Sequence, residues 1–395
     1  MSAPEGKRGL GTRSVHLPAV PGQDGEALAP SLDLSSTFSF ERTDDFAKAS
    51  QEKVGAGYVY TRWANPTTDL LEAAVAGLEG AVAAEAFASG MGAISAIFLG
   101  LCRSGDRLVS ARQLYGGTHD LLTNILPRYG IESTMVDVDD FDGIDRSLEG
   151  AKLLYCETIG NPRITVADLP QLAQLAKNHR VPLVVDNTFA SPILCRPIEL
   201  GADISLHSAT KFLGGHHDLI AGIVCGSPSL LEPIAEVARE LGPVLSPFNA
   251  WLTLRGLATL QLRVERSCAN ALQIAQLLES HPRIAAVYYP GLPSDTSHAL
   301  AGALLGGRGG GTLGFDVAGG RDAAAAFQER LSLVKRAASL GGTHSLIVHA
   351  ASITHTQLTV EELEAAGIAS GFCRMSVGVE DVDDLIADLT QALAA

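Results

Sequence analysis

Short apolar segments alternate with longer amphipathic segments over much of the chain, and this alternation limits the possible folds more than any other feature. The apolar segments have the length of strands and lie at 107–110, 133–138, 153–157, 183–186 and 222–225. Most of the segments between them are long enough for a helix, and residues 169–178 have apolar side chains at helical spacing. Strands that alternate with helices form a mostly parallel sheet with helices on both faces. The sequence therefore predicts a doubly wound α/β fold.

Three regions of the chain differ in texture. The first sixty residues are rich in glycine, proline and serine and lack helical periodicity, so residues 1–62 are predicted to form an extended arm that contacts a neighbouring subunit. Residues 63–255 are predicted to form a large domain, whose first helix is capped by Asn65, has Pro66 in its first turn and ends at Gly80. A long helical segment at 256–280, followed by shorter strands and helices, predicts a smaller C-terminal α/β domain over 256–395.

Composition and charge exclude several classes of partner. The chain is 46% hydrophobic and 18% charged, so it can bury a large core. The chain has a net charge of -15 and contains no cluster of basic residues, which argues against binding to nucleic acid or anionic membranes. The six cysteines form no Cys-x-x-Cys pair, and no secretory signal is evident. The thiols are therefore expected to be reduced, and the protein is expected to be cytoplasmic. No metal site is expected.

One lysine stands out by its context. Lys211 follows a strand-like segment at 204–208 and precedes the turn Gly214-Gly215, while Asp186 ends the apolar segment before it. Most lysines are solvated surface charges, but open α/β sheets place ligands where a strand ends in such a loop. A lysine amine can form a Schiff base with an aldehyde cofactor, and a carboxylate can keep a pyridine nitrogen protonated. Lys211 and Asp186 together predict pyridoxal phosphate as the cofactor.

Two segments could bind the phosphate of that cofactor. Gly90 and Met91 lie between an apolar strand and a helix, where backbone amides and the helix N-terminus favour an anion. A glycine turn chosen only for tight packing of strand on helix would look the same. Ser208 and Thr210 offer hydroxyl groups beside Lys211. The sequence alone does not decide between the two interpretations of the glycine turn.

Three further side chains are candidates for the site. Tyr115, in a glycine loop after a strand, could stack on an aromatic cofactor and act as an acid or base; a half-buried structural tyrosine is the alternative. Tyr60 and Arg62 lie on one side of an extended segment, where Arg62 could bind a phosphate.

Asn161 and Arg374 complete the candidates. Asn161 follows a strand and could hydrogen-bond the phenolic oxygen of the cofactor, or cap the next segment instead. Arg374 is one arginine in an apolar strand, where it needs a carboxylate partner. An amino-acid substrate supplies such a carboxylate, and so would a structural salt bridge.

These motifs together resemble those of the Cys/Met metabolism family of pyridoxal-phosphate enzymes. The likeness extends from residues 12–16 to the C-terminal strand. It includes Tyr-x-Arg-x-x-Asn-Pro-Thr at 60–67, Ser-Gly-Met-Gly at 89–92, Tyr-Gly-Gly-Thr at 115–118, Asp-Asn-Thr-Phe at 186–189, Ser-Ala-Thr-Lys at 208–211, Ser-Leu-Gly-Gly at 339–342 and Arg-Met-Ser-Val-Gly-Val-Glu at 374–380. The resemblance implies the aspartate aminotransferase-like fold type I, a large sheet domain with a smaller C-terminal domain.

The resemblance also implies a role for each candidate. Lys211 would form the Schiff base, Asp186 would pair with the pyridine nitrogen, and Tyr115 would stack on the ring and assist in proton transfer. The remaining residues would bind the cofactor or the substrate. The phosphate would be bound by Gly90, Met91, Ser208 and Thr210 of the same subunit and by Tyr60 and Arg62 of a neighbouring subunit. Asn161 would contact the phenolic oxygen of the cofactor. Ser339 and Arg374 would bind the substrate carboxylate. The family assembles as homotetramers, dimers of dimers with shared sites.

Two positions bear on the substrate. Cystathionine enzymes commonly have a glutamate before Ser-Leu-Gly-Gly, whereas this chain has Ala338, which is similar to methionine gamma-lyases. Many methionine gamma-lyases have a cysteine after the stacking tyrosine, whereas this chain has Gly116. The resemblance favours gamma-elimination from L-methionine or a close sulfur amino acid, giving methanethiol, 2-oxobutanoate and ammonia. Gamma-replacement on an O-acylhomoserine is the alternative, and a non-catalytic homologue that binds the cofactor is a third.

Overall fold

The architecture was analysed in a computed structural model, which describes residues 8–18, 28–52, 57–353 and 369–394. The helices are α1 (Leu10–Val15), α2 (Thr43–Glu52), α3 (Pro66–Glu79), α4 (Gly90–Leu101), α5 (Gly116–Asp120), α6 (Phe141–Leu148), α7 (Leu169–His179), α8 (Ser191–Leu194), α9 (Pro228–Leu241), α10 (Pro247–Leu257), α11 (Leu260–Glu279), α12 (His298–Leu304), α13 (Gly320–Arg330), α14 (Ala350–Ile353) and α15 (Val382–Ala394). No helix within the described ranges is long and apolar enough to cross a membrane.

A seven-stranded sheet forms the centre of the larger part of the chain. Its strands are β1 (Ala83–Phe87), β2 (Arg107–Ala111), β3 (Glu132–Val136), β4 (Leu154–Glu157), β5 (Leu183–Asp186), β6 (Ile204–His207) and β7 (Gly222–Gly226), in the spatial order β1-β7-β6-β5-β4-β2-β3. The five strands from β6 to β3 are parallel, and β7 is antiparallel to both β6 and β1. The predicted doubly wound, mostly parallel sheet is confirmed.

Helices cover both faces of this sheet. In β5, Leu183 and Val185 join the core on one face and Val184 joins the core on the other, and all three are fully buried. This arrangement explains why the parallel strands read as continuous apolar segments rather than as alternating ones. The core on the first face includes side chains of α3, α6 and α7, and the core on the second includes those of α4 and α9.

The carboxyl ends of the parallel strands lie along one edge of the sheet. Glu157 ends β4 and Asp186 ends β5, and the two residues are paired in register. Ser208 follows β6 directly, and Tyr115 follows β2 by four residues. Ligands of open α/β sheets bind outside this edge, so the fold brings together the side chains that the sequence placed at strand ends.

A second sheet has five strands. They are β8 (Ile284–Tyr288), β9 (Thr312–Val317), β10 (Lys335–Arg336), β11 (Leu346–His349) and β12 (Phe372–Ser376), in the spatial order β10-β11-β12-β9-β8. All neighbours are antiparallel except β10 and β11. Its core packs against α11, α13 and α15. The domain limits at residues 62 and 255 stay predictions.

Some elements differ from the expectation. The helix predicted at 256–280 is present as α11, but it begins later, at Leu260, because residues 256 and 257 belong to the end of α10. The Arg263 guanidinium occupies the junction between the two helices and donates to the main-chain oxygens of Phe212 and Gly256, both at 2.7 Å. Helices α1 and α2 were not predicted within the arm; they have only 6 and 10 residues and few large apolar side chains, so little in the sequence distinguishes them from the surrounding extended segments.

Candidate active site

Lys211 lies in the loop after β6, at the carboxyl edge of the large sheet. Its Nζ atom donates to the Ser339 Oγ atom at 2.8 Å. Burial and, to a smaller extent, the charge of Arg374 lower the pKa of Lys211 to about 8. A buried ammonium is disfavoured relative to the neutral amine. The lysine therefore has a substantial neutral fraction near physiological pH, as a nucleophile or general base requires.

Asp186 is a buried carboxyl group with uncharged donors. One oxygen accepts from the Thr188 amide at 3.0 Å and the other from the Tyr155 hydroxyl at 3.4 Å. Burial raises the pKa of Asp186, and the bonds from Thr188 oppose that increase. Because neither donor carries a positive charge, a cation placed against this carboxyl would offset its desolvation. A protonated pyridine nitrogen has the required charge.

Arg374 reaches the large-sheet edge from β12 in the small sheet. Its guanidinium donates to the Asn161 Oδ1 atom at 2.8 Å and to the Ser339 carbonyl oxygen at 3.3 Å. It is only 4% exposed, and burial lowers its pKa to about 10. Neither acceptor is an anion, and its Nε atom has no partner among the described residues. The site is therefore suited to binding a carboxylate.

Ser339 links Lys211 and Arg374 through an unusual backbone. Its φ of 99° lies in the region that favours glycine, although serine has a side chain. This conformation directs the hydroxyl to Lys211 while the carbonyl accepts from Arg374. Such strain persists where the surrounding structure enforces it, and it is common at functional sites.

Glu157, at the end of β4, hydrogen-bonds two of the predicted site residues. One carboxyl oxygen accepts from the Tyr115 amide at 2.6 Å and the other from the Asn161 amide at 3.1 Å. Burial, and then the neighbouring Asp186, raise the pKa of Glu157. Glu157 was not assigned a role from the sequence, although its position at a strand end near Asn161 could have marked it as a site residue. One side chain therefore fixes two predicted site residues relative to each other.

The glycine turn after β1 forms a tight cradle. A Cβ atom on Gly90 would lie 2.7 Å from the Ser208 Cβ atom, so glycine is needed for the close approach of the two loops. The Ser89 Oγ atom caps α4 by accepting from the Gly92 amide at 2.9 Å. The predicted phosphate residues Gly90, Met91 and Ser208 thus surround the N-terminus of α4, where an anion is favoured.

Thr210 has a different set of contacts. Its hydroxyl donates to the Ala221 carbonyl at 3.2 Å and accepts from the Ala221 amide at 3.0 Å. These bonds fix the loop that carries Lys211. If the Thr210 hydroxyl also contacts the phosphate, it does so while it is hydrogen-bonded to the backbone of Ala221.

The residues present fit pyridoxal phosphate. The buried Asn161 Nδ2 atom has no hydrogen-bond partner among the described residues, and an oxygen atom of the cofactor would satisfy it. Asp186 offers a carboxyl for the ring nitrogen, Lys211 an amine for the aldehyde, and the Gly90 turn a site for the phosphate. Each functional group of the cofactor therefore has a suitable partner among these residues.

A cavity of about 500 Å³ opens beside Lys211. Its described lining residues are Tyr115, Gly116, Gly117, Asp120, Lys211, Ala338, Ser339, Leu340, Ile353 and Arg374. We define the inner end of the cavity as Lys211 and Arg374 together with the buried residues Asp186 and Asn161. We define the mouth as Tyr115, which is 47% exposed, together with Asp120 and Ile353. Asp120 and Ile353 were not among the site residues predicted from the sequence.

Tyr60 and Arg62 are predicted site residues for which the structure shows no contact with the other candidates among the residues that it describes. Tyr60 is 42% exposed, and the Arg62 guanidinium lies 5.7 Å from the centre of its ring. Arg62 also donates to the Arg239 carbonyl oxygen. Neither residue is among the described residues that line the cavity. Their predicted contact with a neighbouring subunit stays a prediction.

Comparisons with known proteins agree with this geometry. The sequence is 42% identical to the L-methionine gamma-lyase of Pseudomonas putida, over 98% of both chains. It is 44% identical to the cystathionine gamma-lyase of Bacillus subtilis, over 87% of this chain and 91% of the relative. A crystal structure of a putative O-acetylhomoserine (thiol)-lyase from Campylobacter jejuni, which contains a pyridoxyl-lysine phosphate, superposes with a TM-score of 0.93. That protein is 32% identical, and the match covers 98% of this chain and 100% of the other.

The match to a protein family is equally extensive. It covers residues 11–394, and the family is described as Cys/Met metabolism PLP-dependent enzyme. The predicted fold type I, the pyridoxal phosphate cofactor and the predicted class of carbon-sulfur lyase are supported by this match and by the relatives. From these motifs, this fold and this buried lysine site, we conclude that the chain belongs to the Cys/Met metabolism family of pyridoxal-phosphate-dependent enzymes.

Proposed function

We propose that the enzyme catalyses gamma-elimination from L-methionine or a close sulfur amino acid, releasing methanethiol, 2-oxobutanoate and ammonia. The observation that carries the proposal is the cavity, where the Lys211 amine and the Arg374 guanidinium share Ser339 and the nearby wall is Ala338. An uncharged thioether group is compatible with the methyl side chain of Ala338. The methionine gamma-lyase relatives support this substrate.

Arg374 and the Ser339 region hold the substrate carboxylate in this proposal. The guanidinium already lies beside two neutral oxygen acceptors, so an incoming carboxylate adds a charge-assisted bond without moving the side chain far. Binding the carboxylate there places the α carbon of the substrate near Lys211. The lysine is then within reach of the α proton, and a positioned base contributes about 10²- to 10⁴-fold to a rate.

The other residues hold the cofactor and move protons. When bound, pyridoxal phosphate supplies an aldehyde for the substrate amine and a ring that withdraws electrons from the α carbon. Asp186 would keep the ring nitrogen protonated, and Asn161 would hydrogen-bond the phenolic oxygen. Lys211 would remove the α proton, pass it to the bound cofactor and then remove a β proton, and Tyr115 would donate a proton to the departing sulfur. The phosphate ligands are Gly90, Met91, Ser208 and Thr210.

The functional unit in this proposal is a homotetramer, a dimer of dimers. Tyr60 and Arg62 of each subunit would bind the phosphate in the neighbour's site. Neither residue lines the cavity of its own chain among the described residues, and Tyr60 is 42% exposed, which supports this arrangement. A separated subunit would then lack two phosphate ligands. The proposed location is the cytoplasm.

The test is release of methanethiol and 2-oxobutanoate from purified protein loaded with cofactor. L-Methionine, L-cystathionine and O-acetyl-L-homoserine are compared, each with and without sulfide. Rapid release of both products from methionine alone supports the proposal. Turnover confined to O-acetyl-L-homoserine with sulfide, giving homocysteine, overturns it in favour of gamma-replacement, the reaction suggested by the O-acetyl-L-homoserine sulfhydrylase relative. Cofactor binding without turnover of any substrate would indicate the non-catalytic alternative.

A further inference from the structure

The mouth of the cavity contains a carboxylate that the proposed reaction does not use. Asp120 is the last residue of α5 and lines the same cavity as Lys211 and Arg374. Among the described lining residues it is the acidic one, while Lys211 and Arg374 are basic. The two basic groups both contact Ser339, so they are grouped at the inner end. The cavity is therefore polarised, with positive charge inside and negative charge at the mouth.

The backbone around Asp120 accounts for its position. Gly116 and Asp120 are four residues apart in α5, so both lie on the face that borders the cavity. The next five residues, Leu121–Ile125, form a π-helix. Short π-helical segments widen the helix and are frequent at functional sites. The opposite face is anchored by Leu122, which is fully buried.

Asn124 orients the Asp120 side chain without neutralising it. The Asn124 Nδ2 atom donates to one Asp120 carboxyl oxygen at 2.6 Å. An amide donor has no net charge, so this bond does not neutralise the carboxylate, and the second carboxyl oxygen accepts no hydrogen bond from the residues that the structure describes. Asp120 is exposed, so water screens the electric field of its carboxylate. Over a distance of a few ångströms this screening weakens but does not remove the interaction with a bound substrate side chain.

We propose that Asp120 is a specificity-determining residue, selecting substrates by the charge at the far end of their side chain. An amino acid held by Arg374 with its α carbon at Lys211 extends its side chain towards the mouth. A terminal carboxylate there meets the like charge of Asp120 and is disfavoured, whereas a terminal ammonium is favoured and a thioether is unaffected. The inference rests on the proposed cofactor site and amino-acid substrate, and it narrows the substrate class.

The clearest probes are three amino acids whose side chains share three methylene groups and differ only at the end. L-Ornithine ends in an ammonium, L-norleucine in a methyl and L-2-aminoadipate in a carboxylate. None has a leaving group at the γ carbon, so binding can be measured without elimination. Titration of the loaded enzyme, followed by the visible absorption of the bound cofactor, gives a Kd for each.

The comparison is between the wild type and Asp120→Asn, which keeps the shape of the side chain and removes its charge. We expect the ratio of Kd for aminoadipate to Kd for norleucine to fall about fivefold, the size of one charge pair near the surface. The ratio for ornithine to norleucine is expected to rise by a similar factor. Asp120→Glu, which keeps the charge, should retain the wild-type order, and Asp120→Ser should reproduce the Asn variant.

Glu132→Gln is the matched control, because Glu132 is an exposed acid at the start of β3 and is not among the described cavity residues. It changes the net charge equally and should leave both ratios unaltered. Ratios that are the same in wild-type, Asp120→Asn and Asp120→Ser protein would overturn the proposal, as would wild-type enzyme that binds none of the three amino acids. Shifted ratios without methanethiol formation from methionine would refute the proposed reaction but leave this role of Asp120 standing.

Discussion

The inner end and the mouth of the cavity are built in different ways. At the inner end, Asp186, Asn161 and Arg374 are each less than a tenth exposed, and every one of them is held by hydrogen bonds to the main chain or to another site residue. At the mouth, Tyr115 and Ile353 are about half exposed, at 47% and 49%. The inner end is closely constrained by these hydrogen bonds, and we expect it to serve chemistry that the family shares. The mouth tolerates change, and we expect it to differ with the substrate.

The largest expected effect tests the inner end directly. Lys211→Ala should lower turnover at least about 10³-fold, since it removes both the cofactor attachment and the base. The visible absorption of the lysine-bound cofactor should disappear as well. An unchanged spectrum would show that another lysine carries the cofactor.

Hybrid enzymes test whether the inner end is completed by a neighbour. Arg62→Ala and Lys211→Ala subunits are each expected to be nearly inactive, but mixed dimers would contain one intact site of two. With random exchange half of the dimers are mixed, so activity should recover to about a quarter of the wild-type value. Absence of recovery, in samples where subunit exchange is demonstrated by differently tagged chains, would contradict shared sites.

Loss of the inner guanidinium should be smaller than loss of the lysine. Arg374→Gln should lower kcat/KM for methionine about 10²-fold, because a buried charge-assisted bond to the carboxylate is lost. Most of the change should appear in KM, and cofactor absorption should persist. Arg336→Gln is a suitable control, since Arg336 is an exposed arginine of β10 in the same sheet. A normal KM in Arg374→Gln would remove Arg374 from the substrate site.

The pH dependence of cofactor capture is the smallest effect. Burial lowers the pKa of Lys211 from 10.5 to about 8, so the neutral, reactive fraction of the amine rises with pH and levels off above that value. The rate at which cofactor-free protein captures pyridoxal phosphate should fall about tenfold per pH unit below the pKa. Removing the Arg374 charge should shift the inflection upwards. A rate that keeps rising to pH 10 would mean that the lysine is solvated.

Local sequence signals were sufficient for the limits of helix α3 and for part of the inner end. Asn65 accepts from the Thr67 amide at 2.9 Å and Gly80 has a φ of 74°, as the predicted cap and helix end require. Lys211 and Asp186 were identifiable because strand ends carry distinctive polar residues after apolar segments. These features depend on neighbours in the chain.

Contacts between distant segments were not predictable in the same way. The junction between α10 and α11 is bridged by Arg263, whose acceptors include a residue about fifty positions away. The bond between Arg374 and Asn161 joins residues 213 positions apart. Asp120 had a usable signal, because it lies four residues after Gly116 on a helix, but nothing local shows that this face borders a cavity. Such positions require the fold.

Arg374 also links the two sheets of the protein through hydrogen bonds. It extends from the small sheet to Asn161, which is itself tied through Glu157 to the loop of Tyr115. These hydrogen bonds join the small sheet to the loop of Tyr115 through two intervening side chains. A carboxylate bound at Arg374, as we propose, would therefore lie within the same hydrogen-bonded chain as the backbone of the aromatic residue at the mouth.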